Sequence, residues 1–355
     1  LAEQRFDQAS ILVDQLAARR PPTTEDLYLR AQVEIALGQS EAAIAHLALV
    51  PDSHPWAERA RLQAGQVELR RDRLAHAEHW LIKALVLNPS LIPARRELIY
   101  VYGMQLRRRE IGDQFRALAT LSPLSYSDAF LCCLTRTAVW DAQEQVEDLS
   151  RFLAADPTDR WTRLALAERL AMVNRGDDAR KVLEALPADD PESIAQLAKL
   201  AFDRGEEAAG DALLASAPRD APAPAKVRGR RALTQRDGAV ARDAFRVVLA
   251  DNPDDQEAVF GMAQALRMTG DAQGAEPYLA RVRDHNLLNS LLQRSTHPGG
   301  NTDFVLHRQI GDACARLDLK DEARAWYQLV LLQRPLDRET QRAMYLLDHP
   351  GRAGR

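Results

Sequence analysis

The 355-residue sequence has three cysteines, and their spacing gives them no shared task. Cys132 and Cys133 are adjacent and Cys314 is distant, which excludes both a disulfide framework and a zinc spacing; small buried apolar side chains fit them. Aromatic residues make up only 6%. No apolar run approaches the roughly 18 residues that a membrane span needs. Basic residues do not outnumber acidic ones. The net charge of −4 argues against a nucleic-acid ligand, whose phosphates require a basic surface. The sequence also lacks a phosphate-binding glycine loop, G-x-S-x-G, H-E-x-x-H and a dinucleotide fingerprint. The eight histidines are scattered. His76 and His79 share a helix with Asp72 and Glu78 near, but no second cluster supplies a further metal ligand. His297 in "THPGGN" and His307 stand at the 290–303 insertion with no nucleophile beside them. We therefore expect no enzyme, no catalytic residue, no metal and no cofactor.

What is present is helix composition, rich in Ala, Leu, Arg, Glu and Asp, with 46% hydrophobic and 28% charged residues, enough for a folded chain. The segment "KALVLNPS" (83–90) reads as a helix stopped by Asn88 and Pro89. That stop recurs. Prolines stand at 21, 55, 89, 123, 157 and 191, each 34 residues after the last (55−21, 89−55 and onward). A fixed period of this length means a repeat architecture.

Other positions fall into the same register. Twelve residues before a register proline stands a small residue: Ala9, Ala43, Ala77, Ala179. Four residues later comes Val13, Leu47, Leu81 or Leu183, and three further on Leu16, Val50, Ala84 or Leu186. Steps of four and three keep all of them on one helical face. An earlier helix is marked by Ala31, Gly65, Ala167, Gly229, Ala263 and Gly311, with turns at Gly38 and Gly270. Each unit is thus helix, short turn, helix, proline stop.

This pattern resembles the tetratricopeptide repeat family. Ala241-x3-Phe245…Pro253 with Gly229, and Ala323-x3-Tyr327…Pro335 with Gly311, match the second half of its pattern. The family's first-helix Trp is replaced by Leu27, Arg61, Arg95 and others. The resemblance implies an all-α, right-handed superhelical solenoid. It would hold about nine helix-turn-helix units, a partial N-terminal unit and a C-terminal capping helix. The expected layout is as follows: residues 1–23 hold the second helix of a truncated first repeat, whose partner helix is expected upstream of Leu1. Residues 24–221 are an N-terminal array containing a unit of about 31 residues near 191–221. A Pro- and Ala-rich turn (216–229) leads to further units in 222–289. A loop insertion follows at 290–303, and the last repeat with its cap at 304–355.

In this family the first helices line a concave groove at the fifth and ninth repeat positions. The resemblance therefore implies a groove formed by Tyr28, Leu62, Tyr100, Phe130, Leu134, Leu164, Lys199, Lys226, Arg230 and Phe260, to which Trp161 is added from the second position of its unit. Its middle is apolar and aromatic, as partner anchors are; the same side chains could equally pack against the next unit. Beside it, "KVRGRR" (226–231) makes a basic step suited to an acidic segment, or a solvated helix face. "QLRRRE" (105–110) reads as solvated surface. A carboxylate clamp of the kind some members carry needs groove asparagines, which these positions lack. The reading is a non-enzymatic interaction scaffold that holds a protein or peptide, with no nucleic acid and with self-association open. The alternative is a substrate-recruiting or assembly domain of a membrane-anchored envelope protein, or of an enzyme whose other part lies upstream. Bacterial relatives of this type imply a place outside the cytoplasm behind an N-terminal anchor; the cytoplasm is the other option.

Overall fold

The computed structural model describes residues 2–137 and 142–349, except the side chains of 2–4, 7 and 134–137. Among the described residues there are 20 α-helices, one 3-10 turn and no strand. The chain divides into two compact units, 1–121 with 144–165, and 122–143 with 166–355.

In the first unit, α1 (Ala2–Arg19) packs on α2 (Thr24–Ala36). The pairs α2 with α3 (Ser40–Ala48), α4 (Ala57–Arg70) with α5 (Leu74–Leu87), and α6 (Ile92–Met104) with α7 (Arg108–Leu121) follow. Helix α9 (Ala142–Ala155) lies mostly in this unit, and α10 (Arg160–Met172) begins in it. The second unit contains α8 (Tyr126–Thr137), α11 (Gly176–Leu183), α12 (Pro191–Asp203), α13 (Glu207–Ser216), α14 (Pro222–Thr234), α15 (Gly238–Asp251) and α16 (Gln256–Met268). It continues with α17 (Ala272–Ser295), α18 (Phe304–Arg316), α19 (Lys320–Gln333) and α20 (Arg338–Asp348).

The small residues do what the register requires. Ala31, Ala43 and Ala77 are fully buried. A Cβ added to Gly65 would lie 2.8 Å from Leu81 Cγ, so α4 and α5 approach at a contact with no room for one more carbon.

Among the described residues, eight turns inside helix pairs each carry one residue with positive φ: Gly38, Asp72, Leu106, Asn174, Gly205, Arg236, Gly270 and Asp318. The first three are 34 apart (72−38, 106−72), and Asn174 falls two periods after Leu106. The steps to Gly205 and Arg236 are 31 each (205−174, 236−205), so two consecutive units are short, not one. The second helices of these units are short, α11 with 8 residues and α13 with 10, and the connections after them do not make up the difference as the one after the 9-residue α3 does. The last step is 48 (318−270), a period plus 14. Five of the eight positions hold a side chain that left-handed backbone disfavours by about 1–2 kcal/mol. Arg236→Gly is therefore expected to raise stability by about 0.5–1 kcal/mol, after the glycine's larger unfolded-state entropy is subtracted. A urea midpoint that rises at unchanged slope would show it; an unmoved or lowered midpoint would count against it.

Polar side chains replace the missing first-helix Trp. At the fourth position of their units, Arg95 Nε and Arg163 Nη2 donate to the carbonyls of Pro89 and Pro157 at 3.1 and 2.5 Å. Gln341 does the same to Pro335 at 2.5 Å. Arg61 donates instead to Leu47 O and Val50 O at 2.7 and 2.6 Å, and also reaches Asp52. Pro89, Pro157 and Pro335 lie just past the ends of α5, α9 and α19, so these bonds tie the start of each following helix to the turn before it.

Two expected loops are shorter than the sequence reading. The Pro- and Ala-rich turn ends at Ala221, because Pro222 and Pro224 occupy the first turn of α14, where a missing N–H costs nothing. Helix α17 runs six residues into the expected 290–303 loop, to Ser295. Buried Leu288, Leu291, Leu292 and Ser295 continue its apolar stripe. Only 296–303 departs from it, through Gly299 at φ +86° and the 3-10 turn Gly300–Thr302.

Candidate functional site

The first helices of the pairs present the fifth- and ninth-position side chains. In the first unit a polar ladder joins successive first helices. Gln32 and Gln63 exchange two amide hydrogen bonds at 2.5 and 3.0 Å, and Gln66 donates to Glu97 at 3.1 Å. Within this face Leu62 is half-buried and Tyr100 is 48% exposed.

Two of the expected groove residues prove to be core. Tyr28 is buried against Trp56 with ring centroids 5.1 Å apart, and Leu164 is buried as well. An apolar fifth position was compatible with either role, and here packing takes it. Trp161 is engaged from within the unit, with the Arg107 and Arg160 guanidinium carbons 4.9 and 4.4 Å from its ring centroid.

Arg107 overturns the reading of "QLRRRE" as solvated surface. Its side chain is 10% exposed and pairs with Glu78 at 2.6 Å and Glu110 at 3.0 Å. It also lies over Tyr102 at 4.4 Å. Burial works against its charge, but the two carboxylates hold its pKa above the usual value. The neighbouring Gln105 donates to Asp159 at 3.0 Å, and Asp159 caps α10 through the amides of Trp161 and Thr162. Leu106 turns the chain at positive φ between these two side chains, so the segment is an anchored corner.

His76 is likewise occupied, with Nδ1 3.1 Å from Asp156 and Nε2 2.8 Å from Arg73. Burial opposes the Asp156 charge, but hydrogen bonds from Thr158 and His76 hold its carboxyl below the usual range.

In the second unit the basic step is largely neutralised. Lys226 pairs with Asp255 and Arg230 with Glu257, both on the next first helix or its cap. Arg231 pairs with Glu207 and Asp211. Arg228 closes the end of α13 by donating to the carbonyls of Leu214, Ala217 and Pro218. Lys199 is half-buried, and Phe260 stands 47% exposed between these helices.

Phe130 lies elsewhere. Helix α8 packs on α17 and α19, and Phe130 stacks on Tyr126 at 5.8 Å with rings 11° apart. The Tyr126 hydroxyl donates to Ser295 O at 3.0 Å, and its ring meets His307 and Trp326 at 5.2 and 5.8 Å. Burial pushes the His307 imidazole down, so at neutral pH it is uncharged and its Nε2–H donates to Gly300 O at 2.9 Å. The buried face of α8, made of Ala129, Cys132 and Cys133, is thus given to the last repeat. Nothing in the 34-residue register signals this, because the same small residues would serve an ordinary pair. Leu134 lies outside the described side chains.

Comparison with known proteins follows this geometry. A tetratricopeptide repeat family model matches residues 141–201 and 232–296. The DnaJ homolog subfamily C member 3 of Rattus norvegicus is 34% identical over 119 residues, 33% of this chain and 23% of that protein. Its Bos taurus counterpart is 32% identical over the same share. The chain thus spans about a quarter of the length of the curated relatives it matches. A crystal structure of a tetratricopeptide repeat protein from Parabacteroides merdae is 15% identical, covering 68% of this chain and 98% of that one with a TM-score of 0.35. Repeats of this family in general mediate protein–protein interaction and are in general non-enzymatic. The chain thus carries tetratricopeptide repeats in the two matched segments, and the helix pairs and 34-residue period outside them are similar to that pattern.

Proposed function

We propose that this chain is a non-enzymatic scaffold that binds a segment of a protein partner on its first-helix faces. The observation that carries this reading is the exposure of Tyr100 and Phe260. Each leaves nearly half of a large ring in solvent, on a face whose other apolar side chains are largely packed. Aromatic rings held on a rigid helix lose little entropy on binding and act as anchors. The cations around Phe260 share their charge with Asp255 and Glu257, which supports a peptide over a phosphate backbone. Lys199, Lys226 and Arg230 then set the direction of the partner and contribute little affinity. The face of the first unit offers Tyr100 with Leu62 and the Gln66–Glu97 bridge, a mixed surface suited to an extended or helical segment.

The test uses Tyr100→Ser and Phe260→Ser in the full chain, each checked for unchanged helicity. Both side chains are exposed, so the fold should survive. Loss of an anchor typically costs about 2 kcal/mol or more, roughly 30-fold in affinity. Proteins captured from native lysate by the parent and depleted by one variant would identify the partner and the face it uses. Identical captures by all three chains would sink the reading.

A further inference from the structure

Helix α8 brings Cys133 to the last repeat, where its Sγ lies 3.9 Å from that of Cys314, 181 residues away in the chain. Both thiols are fully buried. The Trp326 indole N–H donates to Cys133 Sγ at 3.4 Å, which fixes that sulfur against α19 while Cys314 faces it from α18. The third thiol, Cys132, points to Glu322 with 3.9 Å between Sγ and Oε1. The two sequence neighbours are therefore turned to different partners, and the two distant cysteines meet. We propose that Cys133 and Cys314 form a dithiol–disulfide pair that, on oxidation, fastens α8 to the last repeat.

A disulfide is about 2.05 Å long, so the sulfurs must close by roughly 2 Å. Rotation about the Cys side chains and a small slide of α8 against α17 and α19 supply this. The oxidant is a small-molecule disulfide of the glutathione type. The Cys133 thiolate attacks one of its sulfurs, forming a mixed disulfide and expelling one reduced thiol. The Cys314 thiolate then attacks Cys133 Sγ and expels the second. Two protein thiols lose two electrons, the reagent gains them, and the two thiol protons end on the released thiols. In the docked state the contact with Cys133 and burial hold the Cys314 thiol protonated, well above its ordinary pKa. Attack accordingly starts when α8 lifts and both sulfurs meet solvent, so local opening of that helix sets the rate. Re-docking then brings the pair together. The inference does not depend on the partner-binding reading.

The experiment oxidises the full chain with oxidised glutathione, blocks free thiols, digests without reduction and maps the cross-linked peptides by mass spectrometry. The expected result is loss of two of the three thiols and a Cys133–Cys314 link in a monomeric chain. Backbone amides of α8 should also exchange more slowly than in the reduced chain. Cys132→Ser should keep the link and make its assignment unambiguous, and Cys314→Ser should yield only glutathione adducts. A Cys132–Cys133 link, a Cys132–Cys314 link, cross-linked dimers, adducts alone on the parent, or three intact thiols in sub-denaturing urea would each overturn the proposal. If Cys314→Ser does not fold, the peptide map of the parent decides the matter.

Discussion

Replacing Phe245 with alanine is expected to cost about 4 kcal/mol, the middle of the range for truncating a buried ring. The ring is 1% exposed and fills a slot between two helices that present glycine to it. A Cβ on Gly229 would lie 2.7 Å from Phe245 Cζ, and one on Gly261 2.3 Å from it. Gly229 is the register small residue of α14, Gly261 stands two residues before that of α16 (Ala263), and the ring of α15 lies between the two helices. The same core cluster holds five alanines (Ala225, Ala232, Ala241, Ala258 and Ala265), which cannot extend into the space the ring would leave, beside Val248, Met262 and Leu266. Cavity cost therefore adds to lost transfer energy wherever these larger side chains do not refill the slot. Gly261→Ala in the parent should cost about 1–3 kcal/mol by overpacking, although alanine is the better helix former by about 1 kcal/mol. In the Phe245→Ala background the same change should be neutral or stabilising, since its methyl then enters a void. Urea unfolding of the four chains forms a double-mutant cycle, and a coupling above about 1 kcal/mol is expected. Additive effects would mean that the ring and the glycines do not share a slot.

Much of this was legible in the chain. The period, the small residues at Ala31, Gly65, Gly229 and Gly311, and the aromatic at Phe245 follow from one constraint, that neighbouring helices must approach closely and be filled once. What was not legible depended on partners distant in sequence. Tyr28 and Phe260 occupy the same repeat position, yet one is buried and the other 47% exposed, because only Tyr28 has a Trp56 ring beside it. Arg107 looked like one of a run of three surface arginines until Glu78, Trp161 and Tyr102 were seen to surround it. The cations of "KVRGRR" looked free because the acids that face most of them stand 20 to 29 residues away. Helix α8 shows the limit most clearly. Its residues satisfy the repeat register, but a register says which face is apolar and leaves open which neighbour covers it.

Trp326→Ala is the second large effect, with about 3–5 kcal/mol expected. The indole is fully buried, and its ring meets Tyr126 of α8 at 5.8 Å and, on α18, His307 at 5.3 Å, which itself meets Tyr126 at 5.2 Å. The Cys133 sulfur also loses its donor, the indole N–H, so a polar contact goes with the packing. In a repeat protein each unit's energy is largely its own plus that of its neighbours. The damage should therefore be uneven. Amides of α8 and of α18 and α19 should exchange with solvent much faster in the variant, while α2 to α5 keep their protection. Tyr126→Phe provides the graded comparison. It keeps the ring and removes only the hydroxyl bond to Ser295 O, so about 1 kcal/mol and a smaller loss of protection in α8 are expected. If Trp326→Ala lowers stability but α8 exchanges as in the parent, then α8 is held by something other than this aromatic cluster. If α8 alone is released and the last repeat stays protected, the helix is a separable layer whose docking energy can be read directly from the exchange difference.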